Sequence, residues 1–431
     1  MLLKRKLHKQ NGSEERLSDA IRGCLFGGAA GDALGYPVEF LQEGSIFRKY
    51  GPKGIKAYEA DAYSGVAQIS DDTQMTLFTA NGLLVWDTEK AGKNEPPRSW
   101  VMMAYQDWFK TQMTTFREVN RHERLTEDGG SSWLLDVPEL FSRRAPGNTC
   151  LSALADGTEY ADYVKAARNH SKGCGGIMRV APLALNGKPA DIKALDLEGA
   201  QLAAITHGHS LGYMPAAVLT HVISRIVFPE GAEPVTGEEA LTSAETLTGE
   251  ESPAGQEQSL KNKTMSLKEI VLEARDTAAE IFKDDEHLPE LLDIVDRAVR
   301  LSENDLDDLD NIHQLGEGWV AEETLGIALY CALKYQDDFS AGLIAAVNHN
   351  GDSDSTGAVT GNILGALLGY SAIEEKWLKD LELADVIAEL ADDLYKNCLW
   401  EMNGRSQPAE LQPYCDPEWS EKYVRMHRPG V

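Results

Sequence analysis

Residues 17–35 read LSDAIRGCLFGGAAGDALG, and this stretch decides the fold. Leu17, Ala20, Ile21, Cys24, Leu25 and Ala29 fall at i, i+3, i+4 spacing, the period of a helix with one apolar face. On the same segment Gly23, Gly27, Gly31 and Gly35 recur at every fourth position, and Gly357, Gly361, Gly365 and Gly369 repeat the pattern near the other end of the chain. A glycine inside a helix is worse than alanine by about 1 kcal/mol, so four in register need a reason. Close approach of two backbones is that reason, since small-residue stripes let helices pack tightly. The two stripes therefore predict two central helices lying near one another.

Two short acidic clusters stand out as well, and the second stripe runs through the segment after the second of them. Ser70-Asp71-Asp72-Thr73 and Asp352-Ser353-Asp354-Ser355 lie about 280 residues apart, and each opens a segment that reads as a buried helix. One such cluster reads as a helix cap, because Ser and Asp are good N-cap residues. Two of the same kind read as a ligand set. Short carboxylate and hydroxyl donors suit Mg²⁺ or a similar hard cation and match zinc poorly. Carboxylates beside an apolar helix are also expensive to bury without a partner.

Helical periodicity dominates the rest of the chain. Helices are predicted over residues 75–86, 99–113, 197–206, 216–228, 267–282, 288–301, 321–335 and 384–399, and clear period-two strands are scarce. Residues 42–68 and 121–147 read as long loops, rich in Gly, Pro or charge. Residues 1–16 read as a flexible polar arm. Between residues 229 and 260 there are eight glutamates and no basic residue, which reads as a disordered acidic insertion. No second core is evident. The expected architecture is all-α: a single compact helical domain over 17–431, interrupted by that insertion.

The net charge of −28 argues against nucleic acid or an anionic membrane surface as the main partner. No run approaches the roughly 18 apolar residues of a membrane span, and the N-terminus lacks the apolar stretch of a signal peptide. The six cysteines are scattered, without a C-x-x-C pair, and read as free thiols of a reducing compartment. A cytoplasmic protein is expected. No Ser-His-Asp or Cys-His set asks for a nucleophile.

Read in order, several segments resemble the ADP-ribosylglycohydrolase family, the DraG-like enzymes. They are 27–35 (GGAAGDALG) with 37–40 (PVEF), 70–75 (SDDTQM), 146–149 (PGNT), 173–182 (GCGGIMRVAP), Thr206-His207, 316–323 (GEGWVAEE) and 350–355 (NGDSDS). The resemblance runs from about residue 18 to about residue 372 and implies an all-α, binuclear-magnesium hydrolase that cleaves ADP-ribose from modified targets. It implies that Ser70, Asp71 and Asp72 hold one metal, and Asp352, Asp354 and Ser355 the other, with two Mg²⁺ or Mn²⁺ as cofactors. The family usually has threonine at the first and last of these positions, and serine keeps the hydroxyl ligand.

The same resemblance places Glu39 in or beside catalysis, with Asp352 the other carboxylate able to move a proton. Which of them acts as base stays open. By spacing alone Glu39 reads as a surface glutamate. Gly173, Gly175, Gly176 and Met178 match a loop that wraps the diphosphate and distal ribose, where glycine lets backbone N–H groups approach phosphate. The family often has asparagines where this chain has Lys172 and Cys174. Gly147 and Asn148 match a loop beside the proximal ribose. His207 reads equally as a pocket residue and as a hydrogen-bonded helix-end histidine.

The implied partners are an ADP-ribosylated protein, with arginine linkage favoured over serine, and ADP-ribose itself. Two other readings stay open: an ADP-ribose-binding protein with little catalysis, and an immunity protein that reverses or blocks a cognate ADP-ribosyltransferase toxin, the basic N-terminal arm offering a blocking contact.

Overall fold

The computed structural model describes residues 12–89, 96–119, 132–155, 168–229, 265–402 and 416–424. Among these, regular structure is helical, and extended pairing is limited to two isolated bridges, Ala67 with Leu381 and Gly173 with Val320. The N-terminal helices are α1 (Gly12–Gly35), α2 (Glu43–Tyr50), α3 (Asp71–Glu89), α4 (Pro97–Met113) and α5 (Asn148–Ala155). The middle of the chain forms α6 (Ala181–Leu185), α7 (Ile192–Ala203), α8 (Ser210–Val227), α9 (Leu267–Ile281), α10 (Leu288–Ser302) and α11 (Asp308–Ile312). The remainder forms α12 (Ala321–Lys334), α13 (Phe339–Val347), α14 (Ser353–Leu368), α15 (Glu375–Leu378), α16 (Ala384–Met402) and α17 (Pro417–Tyr423).

Helices α1 and α14 form the axis, and the glycine stripes meet along it. A Cβ built on Gly23, Gly27 or Gly31 would overlap the carbonyl oxygen of Gly365, Gly361 or Gly357, and the clashes are reciprocal. The order of these contacts makes the pair antiparallel. Asn362 locks the seam by donating to the Cys24 carbonyl at 2.8 Å, and a Cβ on Gly28 would strike that same side chain. Gly35 ends against Ser353 and Asp354, so the stripe delivers α1 directly to the second acidic cluster. The fourth glycine of the second stripe does something else. Gly369 stands just past α14 with φ +85° and ψ 160°, a positive-φ conformation that glycine adopts without strain.

The remaining helices wrap this axis around one contiguous set of buried apolar side chains, from Leu17 to Tyr423. Helix α3 is buried on nearly every face, Asp71 through Val85 being enclosed. Local chemistry sets helix ends where side chains reach the free N–H groups: Ser266 and Glu269 make a reciprocal capping box on α9, and Asp338 caps α13.

Several boundaries differ from the periodicity. Helix α1 starts at Gly12, so residues 12–16 are helix rather than arm; Glu14 and Glu15 suit a first helical turn, and Arg16 donates to the Ile226 carbonyl at 2.8 Å. Residues 1–11 lie outside the described residues, as do 230–264, which hold nearly all of the acidic insertion. The stretch 42–68 is not wholly loop, because α2 occupies its start and buries Ile46. In the second expected loop, residues 132–140 hold two short 3-10 turns that bury Leu134, Leu135 and Leu140. No helix among the described residues is long and apolar enough to cross a membrane. The cysteines at 24, 150, 174, 331 and 398 are free thiols.

Candidate active site

The two acidic clusters meet at the head of the α1–α14 axis. Ser355 Oγ donates to Asp72 Oδ1 at 2.8 Å, closing a link between residues 283 apart in sequence. Asp72 is further tied to its own cluster, accepting from Ser70 Oγ at 3.3 Å while its N–H donates back to Ser70 Oγ at 3.2 Å. On the other side Asp352 caps α14 by accepting from the Ser355 N–H, and Asp354 accepts from the same N–H at 3.0 Å. The Asp352 carboxylate thus caps α14 and stands in the acidic group at the same time.

The residue that holds the first cluster in place is Asp32, which the sequence reading passes over. Fully buried on α1, it accepts from Ser70 N at 2.9 Å, from Thr73 N at 3.0 Å and from Thr73 Oγ1. It thereby satisfies the free N–H groups at the start of α3. Its signal was a lone carboxylate inside the apolar run Ala29 to Leu34. A second brace comes from Glu382, which accepts from Ile69 N at 3.1 Å and from Arg144 at 2.8 Å, while the Arg144 carbonyl accepts from Asp71 N at 3.0 Å.

Glu39 is buried, not a surface glutamate. One carboxylate oxygen each from Glu39, Asp352 and Asp354 lies within 4.8 Å of the others. The short turn Tyr36–Val38 that follows α1 carries it there. Its Oε2 is buried without a hydrogen-bond partner. Burial first, and then the neighbouring carboxylates, push Glu39, Asp71, Asp72 and Asp354 far above the usual carboxylate range. Asp32 is raised by burial and by Asp354. So many enclosed acids with an unpartnered oxygen fit a cation, and a donor set made of carboxylates and hydroxyls fits a hard one.

Gly147 and Asn148 are exposed, at the start of α5, and Gly147 N donates to Asp71 Oδ2 at 3.3 Å. The glycine-rich turn is a 3-10 helix over Cys174–Arg179. Its glycines are required from below: a Cβ on Gly175 would lie 2.8 Å from Cys150 Sγ and 2.9 Å from His207 Cε1, and one on Gly176 would lie 2.8 Å from the Gly212 carbonyl oxygen. A Cβ on Gly173 would also lie 3.3 Å from His207 Nε2. Met178 is buried, with its sulfur 3.9 Å from Ser355 Oγ. His207 is enclosed beneath the turn; its Nδ1 pairs with Thr206 Oγ1 at 2.8 Å, and Arg179 donates to that hydroxyl at 2.6 Å. Burial, with Arg179 adding to it, lowers the His207 pKa to about 3, so the ring is neutral. Of the two readings of His207, the hydrogen-bonded structural one matches this placement. Cys174, at the position where asparagine is common, donates its thiol to Asp352 Oδ2 at 2.8 Å.

The helical fold gathers two clusters of carboxylate and hydroxyl oxygens beside a glycine-rich turn, and the comparisons give its family. The sequence pattern of the ADP-ribosylglycohydrolase family matches residues 13–403, and the chain belongs to that family. It is 24% identical to the ADP-ribosyl-[dinitrogen reductase] glycohydrolase of Rhodospirillum rubrum, over 85% of this chain and 91% of that one. It is also 24% identical to the uncharacterized protein YegU of Escherichia coli K12, over 89% and 96% of the two chains. A shorter match, 40% identical over 78 residues, covers 18% of this chain and 21% of the ADP-ribosylarginine hydrolase Tri1 of Serratia proteamaculans. A solved structure described as an ADP-ribosylglycohydrolase-related protein complex superposes with a TM-score of 0.55 and 23% identity, covering 90% of this chain and all of that one. The membership supports an enzyme that removes ADP-ribose by hydrolysis.

Proposed function

We propose that the protein is a magnesium-dependent hydrolase that releases ADP-ribose from arginine side chains. The observation that carries this reading is the meeting of Ser355 with Asp72, beside the Glu39, Asp352 and Asp354 carboxylates. Ser70, Asp71 and Asp72 would hold one Mg²⁺, and Asp352, Asp354 and Ser355 the other. Bound there, the ions supply neutralising charge and Lewis acidity. The arginine linkage is supported by the match to an arginine hydrolase and rests on that likeness.

The chain's own groups do the rest. Gly147, Asn148 and the Gly173–Met178 turn receive the ribose and diphosphate, and the ribosyl C1 faces the carboxylates. Positive charge develops on the sugar as its bond to nitrogen lengthens, and the enclosed carboxylates stabilise it. Water adds its oxygen to C1, the C1–N bond breaks, and the water proton ends on the guanidine nitrogen. Glu39 and Asp352 are the groups placed to carry that proton. Glu39 is the stronger candidate, because its Oε2 is free of protein partners whereas Asp352 already caps α14 and accepts from Cys174.

The test is incubation of the protein with arginine-ADP-ribosylated and serine-ADP-ribosylated peptides, with Mg²⁺ or with EDTA. ADP-ribose release from the arginine peptide, dependent on Mg²⁺ and absent in Glu39→Gln, is the expected result. Full activity in EDTA rules the reading out.

A further inference from the structure

The geometry points to Phe40 and Trp319 as the surface that receives the arginine side chain, with its guanidinium lying against their rings. This rests on the hydrolase reading above and adds the group that selects a cationic target. Phe40 is 70% exposed although Val38 and Glu39 beside it are buried, and Trp319 is 39% exposed. The two rings stack with centroids 6.0 Å apart and planes inclined at 27°.

The pair is built, not incidental. Trp319 lies in the 316–320 loop, which Glu323 Oε2 fixes by accepting from Glu317 N at 3.0 Å and from Gly318 N at 3.1 Å. Thr324 Oγ1 donates to the Gly318 carbonyl at 2.7 Å, and the Trp319 carbonyl accepts from Cys174 N at 3.3 Å. Gly318, at φ +81°, presses on the second cluster: a Cβ there would lie 3.3 Å from the Asp352 carbonyl oxygen. From the other direction, Phe40 directly follows Glu39. Two loops far apart in sequence thus bring two exposed aromatics to the Glu39–Asp352 side of the site, while Gly147 contacts the Asp71 side.

The charge around them is negative. Glu317 is exposed beside Trp319, Glu39 and Asp352 lie behind, and the nearby Lys172 is paired with Glu322. A guanidinium is planar, weakly hydrated and drawn to aromatic faces, and acids around it add to the attraction. A seryl oxygen gains nothing from such a surface.

The experiment compares Phe40→Ala, Trp319→Ala, Trp319→Phe and Phe40→Lys with the wild type, all with Mg²⁺ and with matched melting temperatures. The readouts are KM and kcat on an arginine-ADP-ribosylated peptide and the calorimetric affinity for free ADP-ribose. Each alanine variant should raise KM about two- to fivefold, the size of an exposed cation–π contact, with a smaller change in kcat. Trp319→Phe should recover most of the loss, and Phe40→Lys should exceed Phe40→Ala because it places like charge against the guanidinium. ADP-ribose affinity should stay within about twofold throughout, since the proposal sets the rings against the arginine side chain and not against the nucleotide. Equal losses of ADP-ribose affinity and peptide KM overturn the inference, because the rings then hold the nucleotide. So does a Phe40→Lys variant no worse than Phe40→Ala. A wild type that releases nothing from the peptide refutes the hydrolase reading and this inference with it; an active wild type with indifferent ring variants refutes this inference alone.

Discussion

At the scale of single residues, the site is a concentration of enclosed acids, and its variants should behave accordingly. Asp72→Asn keeps the acceptor for Ser355 but removes an acid whose ionisation burial and the neighbouring carboxylates oppose. Without metal this variant should melt higher than the wild type, by about 1–2 °C for each kcal/mol of repulsion relieved. With Mg²⁺ it should lose hydrolysis and most of the stabilisation by the ion. A calorimetric scan of both proteins, with EDTA and with Mg²⁺, reads both effects. His207 gives an independent pH signature. Its pKa is near 3 when folded and ordinary when unfolded, so the stability that it contributes is complete above about pH 6.5 and is lost as pH falls toward 3. Over that window the slope from this residue approaches about 1.4 kcal/mol per pH unit. Urea unfolding of wild type and His207→Leu at several pH values should show the difference shrinking by that slope on acidification; parallel curves would mean that the ring protonates in the folded state. Asp32 marks the limit of what single residues disclose. Its carboxylate organises Ser70 and Thr73 across about 40 residues of sequence, and no local spacing announces such a contact.

At the scale of elements, the α1–α14 seam makes a signed prediction. An exposed helical Gly→Ala change stabilises by up to about 1 kcal/mol, and Gly44→Ala in α2, with open space around it, should do that. Gly27→Ala and Gly361→Ala place a Cβ on the facing backbone and should destabilise by about 1–3 kcal/mol or more, despite the same gain in propensity. Denaturant midpoints of the three variants decide it. Gly35→Ala, which presses on Ser353 and Asp354, should also weaken Mg²⁺ binding measured by titration calorimetry. The seam was legible in the sequence because a stripe repeats locally, every fourth residue, and so were the two acidic clusters. Helices α2 and α13 were not: α2 buries Ile46 from a polar, glycine-bounded stretch, and α13 is a nine-residue apolar run without clear period. The Phe40–Trp319 pair was equally silent, since its partners sit in separate loops. Contacts between distant segments, rather than propensities, separate the legible from the rest.

At the scale of the whole molecule, the binding of cations and the stability of the fold are one equilibrium. Saturating Mg²⁺ at about 100 times its dissociation constant should add about 2.7 kcal/mol per site, so the melting temperature should climb with Mg²⁺ concentration and fall back with EDTA. Mn²⁺ should substitute, and Zn²⁺ should restore activity less well, given oxygen ligands alone. A melting curve indifferent to both ion and chelator would contradict the arrangement of the site. Replacing residues 229–260 by a short Gly/Ser linker should leave hydrolysis of a small ADP-ribosylated substrate intact, because that stretch has the composition of a segment unable to build its own core; a collapse of activity would assign it a place over the site. The antiparallel seam has a further consequence, for the order in which the protein is made. Helix α1 leaves the ribosome early, yet the surface that its glycines fit lies beyond residue 353. At ~5–20 residues per second the nascent helix waits roughly 15–60 seconds for its complement, a bare backbone groove open to any passing chain. Anything that shields that groove during the wait should therefore raise the yield of folded protein, and a chaperone-depleted extract should yield more chains that are complete in length but trapped with α1 unpaired.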